Sequence, residues 1–388
     1  MNRRRTATAA ALLALLLPLP LAAAAGTAAA ADAPSAAESR RTALELPRPT
    51  GRFAVGQETL HLVDRGRTDP WAGTGPRELM VTMRYPAQKG TGGPVRYLTR
   101  EEARLLLADR ELDQVIPVED LAGTAVHARS QARPVAGRYP LIVLSPGFTV
   151  HRSTLTALAE DLASRGYVVA SVDHAYESVG TAFPGGRVLK CLACDKTEAG
   201  TPMREVSDNR ARDVSFLLDR LTGRHPAWRH AGLVDTSRIA MAGHSIGGAS
   251  ALAAMAADPR IRAGINMDGG LATPVPETGI GARPFMLLGA QDGAPGGNAS
   301  WDDNWPRLDG WKRWITFADS GHFTFSDFPA LADQLDLPDP EAPLPGDRSV
   351  ELTRRYVAAF FDQHLKGRPQ PVLDGPSPEA PEVRFHTP

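Results

Sequence analysis

The sequence predicts an α/β fold with a mostly parallel central sheet and helices on both faces. Three observations carry this. Short, near-continuous apolar runs at 141–144, 167–172, 239–242 and 263–267 read as strands buried on both sides. Helical patterns at 154–164, 204–221 and 248–256 alternate with them, as parallel strands with crossover helices require. The chain has 388 residues, of which 43% are hydrophobic, so it is long enough to bury one large core.

The N-terminus reads as a secretory leader. Arg3, Arg4 and Arg5 precede an apolar stretch around Leu12, Leu13, Leu15, Leu16 and Leu17. Pro18 and Pro20 break it, and Ala28 to Ala31 offer small-residue cleavage sites. A membrane anchor is the rival, but the stretch is short and proline-broken for a span of about 20 residues. Residues 1–31 are therefore expected to be a signal peptide and the mature protein to be secreted. Residues 32–50, rich in Ala, Ser, Pro and Arg, are expected to be a flexible lead-in.

Residues 51–388 are expected to form a single domain. The runs 59–63 and 79–85 alternate apolar and polar residues, and Pro86 ends the second. Thr99 and Glu102 make a capping box ahead of Ala103, Leu105, Leu106 and Leu107, which predicts a short helix; the rest of 91–138 is loop-like. After 141–144 comes Ser145-Pro146-Gly147, then a helix with Leu155, Leu158 and Leu162 on one face. The helix at 204–221 carries Val206, Val214, Leu217, Leu218 and Leu221 on one stripe. Strands at 284–288 and 313–317 follow, and a closing helix at 350–366 ends at Gly367 and Pro369. The first strands stand outside the βα alternation.

The formal net charge of −1 argues against a nucleic-acid partner, which leaves a basic footprint. The two cysteines, Cys191 and Cys194, sit in a Gly- and Pro-flanked loop. In an exported protein they suit a small local disulfide or free thiols. A redox C-x-x-C would want a thioredoxin-like setting, and zinc would want two further ligands nearby.

Gly243-His244-Ser245-Ile246-Gly247 is a G-x-S-x-G motif between a predicted buried strand and a predicted helix. That context is the nucleophile elbow of an α/β-hydrolase. A sharp strand-to-helix turn projects the serine above the sheet, and the flanking glycines avoid collision. Unaided serine is a poor nucleophile and needs a base. Downstream of Ser245 the histidines are His322, His364 and His386. His364 falls on the polar side of the closing helix and His386 in the tail, whereas His322 follows the last predicted strand in a turn. His322 is the candidate base.

Two aspartates at strand ends compete to orient that imidazole: Asp268, after the strand next to the elbow, and Asp292, after the following one. The oxyanion hole takes one backbone N–H from Ile246 and one from the loop Ser145 to Thr149, with Phe148 as donor. Trp301, Trp305, Trp311 and Phe323 are candidates to line an acyl pocket, or else ordinary packing residues.

The segment Tyr139-Pro140-Leu141-Ile142-Val143-Leu144-Ser145-Pro146-Gly147-Phe148 resembles the plasma-type platelet-activating-factor acetylhydrolases. So do Asp161-Leu162-Ala163-Ser164-Arg165-Gly166-Tyr167, the run Gly243 to Gly248, Gly264-Ile265-Asn266-Met267-Asp268, and Ser320-Gly321-His322 with Phe325, Asp327 and Phe328. The resemblance spans about 49 to 365 and is weak in 91–138 and 175–205. It implies Asp268 as the acid, no metal and no cofactor. It also implies hydrolysis of short or oxidised sn-2 acyl chains of phospholipids without calcium. Asp292 is a departure; its spacing is similar to bacterial lipases and cutinase-type polyester hydrolases.

The function expected is a secreted serine esterase acting on ester or phospholipid substrates, with transient contact at a lipid surface and no stable protein partner inferred. A general lipase or cutinase-like polyester hydrolase is the first alternative. A non-catalytic α/β-hydrolase used as a binding module is the second, and fold alone also admits a peptidase or thioesterase.

Overall fold

All four residues at 141–144 are apolar because both faces of their strand are covered. In the computed structural model, which describes residues 43–388, Leu141 and Val143 pack in one hydrophobic cluster and Ile142 and Leu144 in another. The leader expected over 1–31, and 32–42 of the lead-in, lie outside the described residues.

Among the described residues the first elements are β1 (Ala54–Thr68) and β2 (Pro76–Ala87), then α1 (Arg100–Asp109), α2 (Val118–Ala122) and the short β3 (Arg129–Ser130). The alternation starts at β4 (Tyr139–Ser145), α3 (Thr156–Ser164) and β5 (Val168–His174). A hairpin of β6 (Thr181–Phe183) and β7 (Arg187–Leu189) leads to α4 (Leu192–Glu198) and α5 (Met203–Thr222). Next come β8 (Val234–His244), α6 (Ile246–Ala257), β9 (Ile261–Met267), β10 (Phe285–Gly289) and α7 (Ala299–Asn304). The chain closes with β11 (Lys312–Phe317), α8 (Phe328–Gln334), α9 (Gly346–Lys366) and β12 (Val383–His386).

Among the described residues, ten strands make the main sheet in the order β12-β11-β10-β9-β8-β4-β5-β2-β1-β3. From β5 through β11 every neighbour is parallel, while β2 on one side and β12 on the other are antiparallel. Helices α5 and α6 cover one face, through residues such as Leu217, Leu221 and Ala254; α3 and α9 cover the other, through Leu158, Leu162, Val357 and Phe361. This is the mostly parallel, doubly covered sheet that the sequence predicts.

The connection matters for function. The chain runs from β4 to β5 on one side, then crosses back to β8 on the other side of β4. Loops leaving adjacent strands in opposite directions open a crevice at their carboxyl ends, where ligands bind in such sheets. Register sets the level: Ser145 pairs beside Gly243, His244 beside Met267, and Leu288 beside Met267. The residues just after β4, β8, β9 and β10 therefore share one edge.

The capping box forms as expected, with Glu102 N–H donating to Thr99 Oγ1 and Thr99 N–H donating to Glu102 Oε2. Several expectations need correction. The end of the lead-in, 43–50, is docked rather than flexible: Leu44 and Leu46 are buried, and the Leu46 and Ala125 amides bond across to Ala125 and Leu44 carbonyls at 3.0 and 2.7 Å. Cys191 and Cys194 are disulfide-bonded, and they cap and enter a helix, α4, instead of lying in an open loop. The tail holding His386 is a strand, β12, because β11 would otherwise expose an unpaired edge. His364 is half-buried between Trp311 and Phe360.

Beneath the switch point lies a fully buried ionic network. Arg77, on the core-facing side of β2, donates to Asp69, Glu177 and Asp213 at 2.7–3.2 Å and to the Ala175 carbonyl at 2.7 Å. Burial alone would raise the Asp213 pKa, but Arg77 and His174 hold it well below the usual carboxylate range. Removing one partner strands the others as buried unpaired charges. Arg77→Met should therefore destabilise the protein by about 3–5 kcal/mol, whereas Arg104→Ala, which breaks only an exposed pair with Glu101, should leave the unfolding midpoint in place. Urea titrations of the two variants check this.

Candidate active site

Ser245 begins the turn from β8 into α6 with φ 55° and ψ −127°. A non-glycine residue there costs roughly 1–3 kcal/mol and persists only where its surroundings over-determine it. They do so here. The Ser245 N–H donates to Met267 O at 2.8 Å, and the Gly248 and Ala249 N–H groups donate to Ser245 O. A Cβ at Gly243 would lie 2.2 Å from the Gly247 carbonyl carbon, and one at Gly247 would lie 2.1 Å from Ser145 O, so both flanking positions require glycine. From 239 to 255 every residue is buried except Ser245. The fold covers the strand and the helix and leaves the serine at the surface of the edge.

His322 follows β11 in a 3₁₀ turn at the same edge, with its side chain 45% exposed. Its Nδ1 lies 2.6 Å from Asp268 Oδ2. Asp268 itself adopts φ 57°, which swings its carboxylate back across the sheet edge, and the Ala290 N–H donates to its Oδ1 at 2.8 Å. With Nδ1–H donated to the carboxylate, Nε2 is the nitrogen left to take a proton. Asp292 goes elsewhere: it sits in the 3₁₀ turn 291–293 and is solvent-exposed. Position after a strand did not separate the two aspartates, but the left-handed turn at 268 does.

The other two predicted residues come together at the switch point. Ile246 opens α6, where the first helical N–H groups have no partner within the helix. The backbone of Ser145 and Pro146 abuts Gly247, and the Phe148 side chain packs against Ile246 in one apolar cluster. Half-buried Tyr176, Leu192, Met203 and Ala272 complete that wall. The arrangement places a serine hydroxyl, an oriented imidazole and helix-terminal N–H donors for developing negative charge on one edge.

The tryptophans do not line this wall. Trp301 is fully buried and donates its indole N–H to Gly269 O at 2.6 Å, holding the turn after Asp268. Trp305 packs at a tilt on Trp314, and Trp311 packs on α9 against Phe360. Phe323, beside His322, is the one of the four near the site; Arg110 lies over its ring at 5.0 Å and donates to Thr149 Oγ1. One neighbour escaped sequence reasoning altogether. His244 donates from Nε2 to His322 O at 2.7 Å, tying the elbow to the histidine turn, while its buried Nδ1 has no partner. Burial, then the nearby His322, push its pKa down to about 4.

Comparisons with known proteins give the family and relatives of the chain. The chain matches the family described as platelet-activating factor acetylhydrolase, isoform II, over residues 42–185 and 217–338. It is 30% identical to a protein of Arthroderma benhamiae described as a probable 1-alkyl-2-acetylglycerophosphocholine esterase, over 91% of this chain and 96% of that one. It is 24% identical to the platelet-activating factor acetylhydrolase of Gallus gallus, over 59% of this chain and 62% of that one. Among solved structures, a ferulic acid esterase from Streptomyces cinnamoneus superposes with a TM-score of 0.80 at 45% identity, covering 89% of this chain and all of that one.

Two outcomes follow from the geometry. Asp268→Asn should lower kcat by about 10³–10⁴-fold, whereas Asp292→Asn should change it by less than about twofold, read as steady-state hydrolysis of a short-chain ester. The folded protein keeps His244 neutral where the unfolded chain protonates it, so the unfolded state binds more protons between about pH 4 and 6.5 and stability rises with pH across that window. His244→Gln should flatten that rise, by up to about 1.4 kcal/mol per pH unit, in denaturant titrations repeated across the window.

Proposed function

The chain belongs to the platelet-activating factor acetylhydrolase, isoform II family and is a carboxylic ester hydrolase, and on that premise we propose that it cleaves short-acyl esters through Ser245, His322 and Asp268. Ser245 Oγ attacks the ester carbonyl as His322 Nε2 takes its proton. Asp268 holds the imidazole and stabilises its charged form. The N–H groups of Phe148 and Ile246 receive the oxyanion. His322 protonates the departing alcohol, then draws a proton from water as that water attacks the acyl group, and returns the proton to Ser245 Oγ as the acid leaves. The observation that carries this reading is the 2.6 Å contact between Asp268 and His322 at the edge where Ser245 protrudes.

The preferred substrate class is a phospholipid with a short sn-2 acyl chain, as the names of the Arthroderma and Gallus relatives suggest. The 45% identity to a ferulic acid esterase favours a second reading, an aromatic acyl ester. Contact with a lipid surface fits Val115, the one large apolar side chain strongly exposed among the described residues. It stands in the turn after α1, whose Arg110 covers Phe323 beside His322. Export through the N-terminal leader is part of the proposal, and the Cys191–Cys194 disulfide is consistent with an oxidising destination.

The deciding experiment compares kcat/KM on a phospholipid with an sn-2 acetyl group, on methyl ferulate and on a polyester film, each with and without a calcium chelator. The phospholipid should be turned over best and without calcium; a preference for methyl ferulate or the film would replace the substrate reading. Ser245→Ala should lose about 10³-fold or more on every substrate, and retention of activity would end the mechanism. N-terminal sequencing of protein from culture medium should begin near residue 32.

A further inference from the structure

The mechanism uses the N–H of Phe148 but does not explain what aims it. The loop that carries it, 146–149, leaves the end of β4, and its Pro146 and Gly147 carbonyls turn into the protein. There they meet a buried arginine. Arg210, on the inner face of α5 and 1% exposed, donates from Nη1 to Pro146 O at 2.5 Å and from Nη2 to Gly147 O at 3.5 Å. A trans peptide is planar, with its C=O and N–H antiparallel. Turning the Gly147 carbonyl toward Arg210 therefore turns the Phe148 N–H away from it, out of the buried network.

The fork is itself fixed. Arg210 Nε donates to Glu177 Oε2 at 2.6 Å, and Glu177 Oε1 accepts from Arg77 Nη2 and Trp71 Nε1, both at 2.8 Å. Arg210 Nη1 also reaches Ser145 Oγ at 3.2 Å. That hydroxyl lies 3.0 Å from His174 Nε2, and His174 Nδ1 lies 2.8 Å from Asp213 Oδ2. The far end of the loop is tied to the same residues, because the Thr149 N–H donates to Glu177 O at 3.0 Å with Thr149 held at φ 68°. Among these groups only the guanidinium touches both loop carbonyls.

We propose that Arg210 is a positioning residue for ester hydrolysis: its guanidinium, braced by Glu177, grips the Pro146 and Gly147 carbonyls and so sets the direction of the Phe148 N–H toward the developing oxyanion. This rests on the reading of the Phe148 amide as an oxyanion donor. Arginine supplies a planar fork that a lysine ammonium cannot reproduce, although lysine keeps the charge opposite Glu177.

The test is Arg210→Lys, assayed on p-nitrophenyl acetate and on p-nitrophenyl thionoacetate, in which sulfur replaces the carbonyl oxygen that the hole receives. Misaimed donors should lower kcat on the oxoester by about 10²-fold with KM little changed. The oxoester-to-thionoester rate ratio should fall toward one, and the acid limb of the pH profile should stay in place because His322 is untouched. A full kcat on the oxoester, or a loss with the ratio unchanged, overturns the proposal. If Arg210→Lys does not fold, Trp71→Phe, which removes a neutral donor from Glu177 and leaves every buried charge paired, should show a smaller change of the same kind; an unchanged ratio there overturns the proposal too. Ser245→Ala separates the two levels. If it keeps turnover, the site reading falls and this inference with it; if it is inactive while Arg210→Lys matches wild type, only the inference falls.

Discussion

The constraint on which the rest of the site depends is the neutralisation of charge beneath the switch point. Three carboxylates, Asp69, Glu177 and Asp213, and two arginines, Arg77 and Arg210, are all at or below 1% exposure, and half-buried Arg67 brings the third positive charge to Asp213. Ions removed from water this completely are tolerable only when every one is paired and hydrogen-bonded. That requirement ties together β2, the β1–β2 turn, the segment after β5 and α5, which are distant in sequence. The loop after β4 is then held by whatever donors remain. Non-local connection of this kind is what a crevice between diverging loops needs if it is to keep one shape.

A second constraint is crowding at the elbow. The turn at Ser245 lies so close to the ends of β4 and β9 that side chains are excluded at its flanks, and the serine backbone is forced into the left-handed region. Asp268 shows the same device one strand along, again at positive φ and again with its amide bonded to the neighbouring strand end, Leu288 O. Backbone strain at both places is offset by hydrogen bonds from adjacent strands. The Ser245 and Asp268 side chains are thereby aimed by the sheet rather than by flexible loops.

Much of this was legible in the sequence because the signals were local. Apolar runs and helical periodicity placed the parallel strands and covering helices within a few residues, and the Gly-x-Ser-x-Gly pattern drew its meaning from the strand and helix on either side. His322 stood out because the other histidines downstream lay in or after the closing helix. Strand position left the choice between Asp268 and Asp292 open, and only the family resemblance favoured Asp268, since the choice turns on a backbone dihedral and on which loop curls back over the edge. The ionic network was not legible, yet its trace is visible afterwards. Arg210 and Asp213 fall on the same stripe of α5 as Val206, Val214, Leu217 and Leu221, and Arg77 on the same face of β2 as Leu79, Val81 and Met83. Charges on an otherwise apolar face are the signal that periodicity alone overlooks. The hairpin β6–β7, the helix α4 and the strand β12 were missed because their few residues carry too little pattern to exceed that of loops.

At Pro146 and Gly147 the first loop of the site is gripped by its carbonyl oxygens. Substitution at 148 would leave the arginine fork and the peptide plane where they are while changing the wall that meets the acyl group. Residue 246 stands in a similar relation to the helix end. A scaffold of this kind separates the part that must not vary from the part that can, so a lineage could exchange an acetyl pocket for an aromatic one without rebuilding the machinery that breaks the bond. Relatives whose names point to phospholipid and to ferulate substrates on one fold are what such a division of labour would produce.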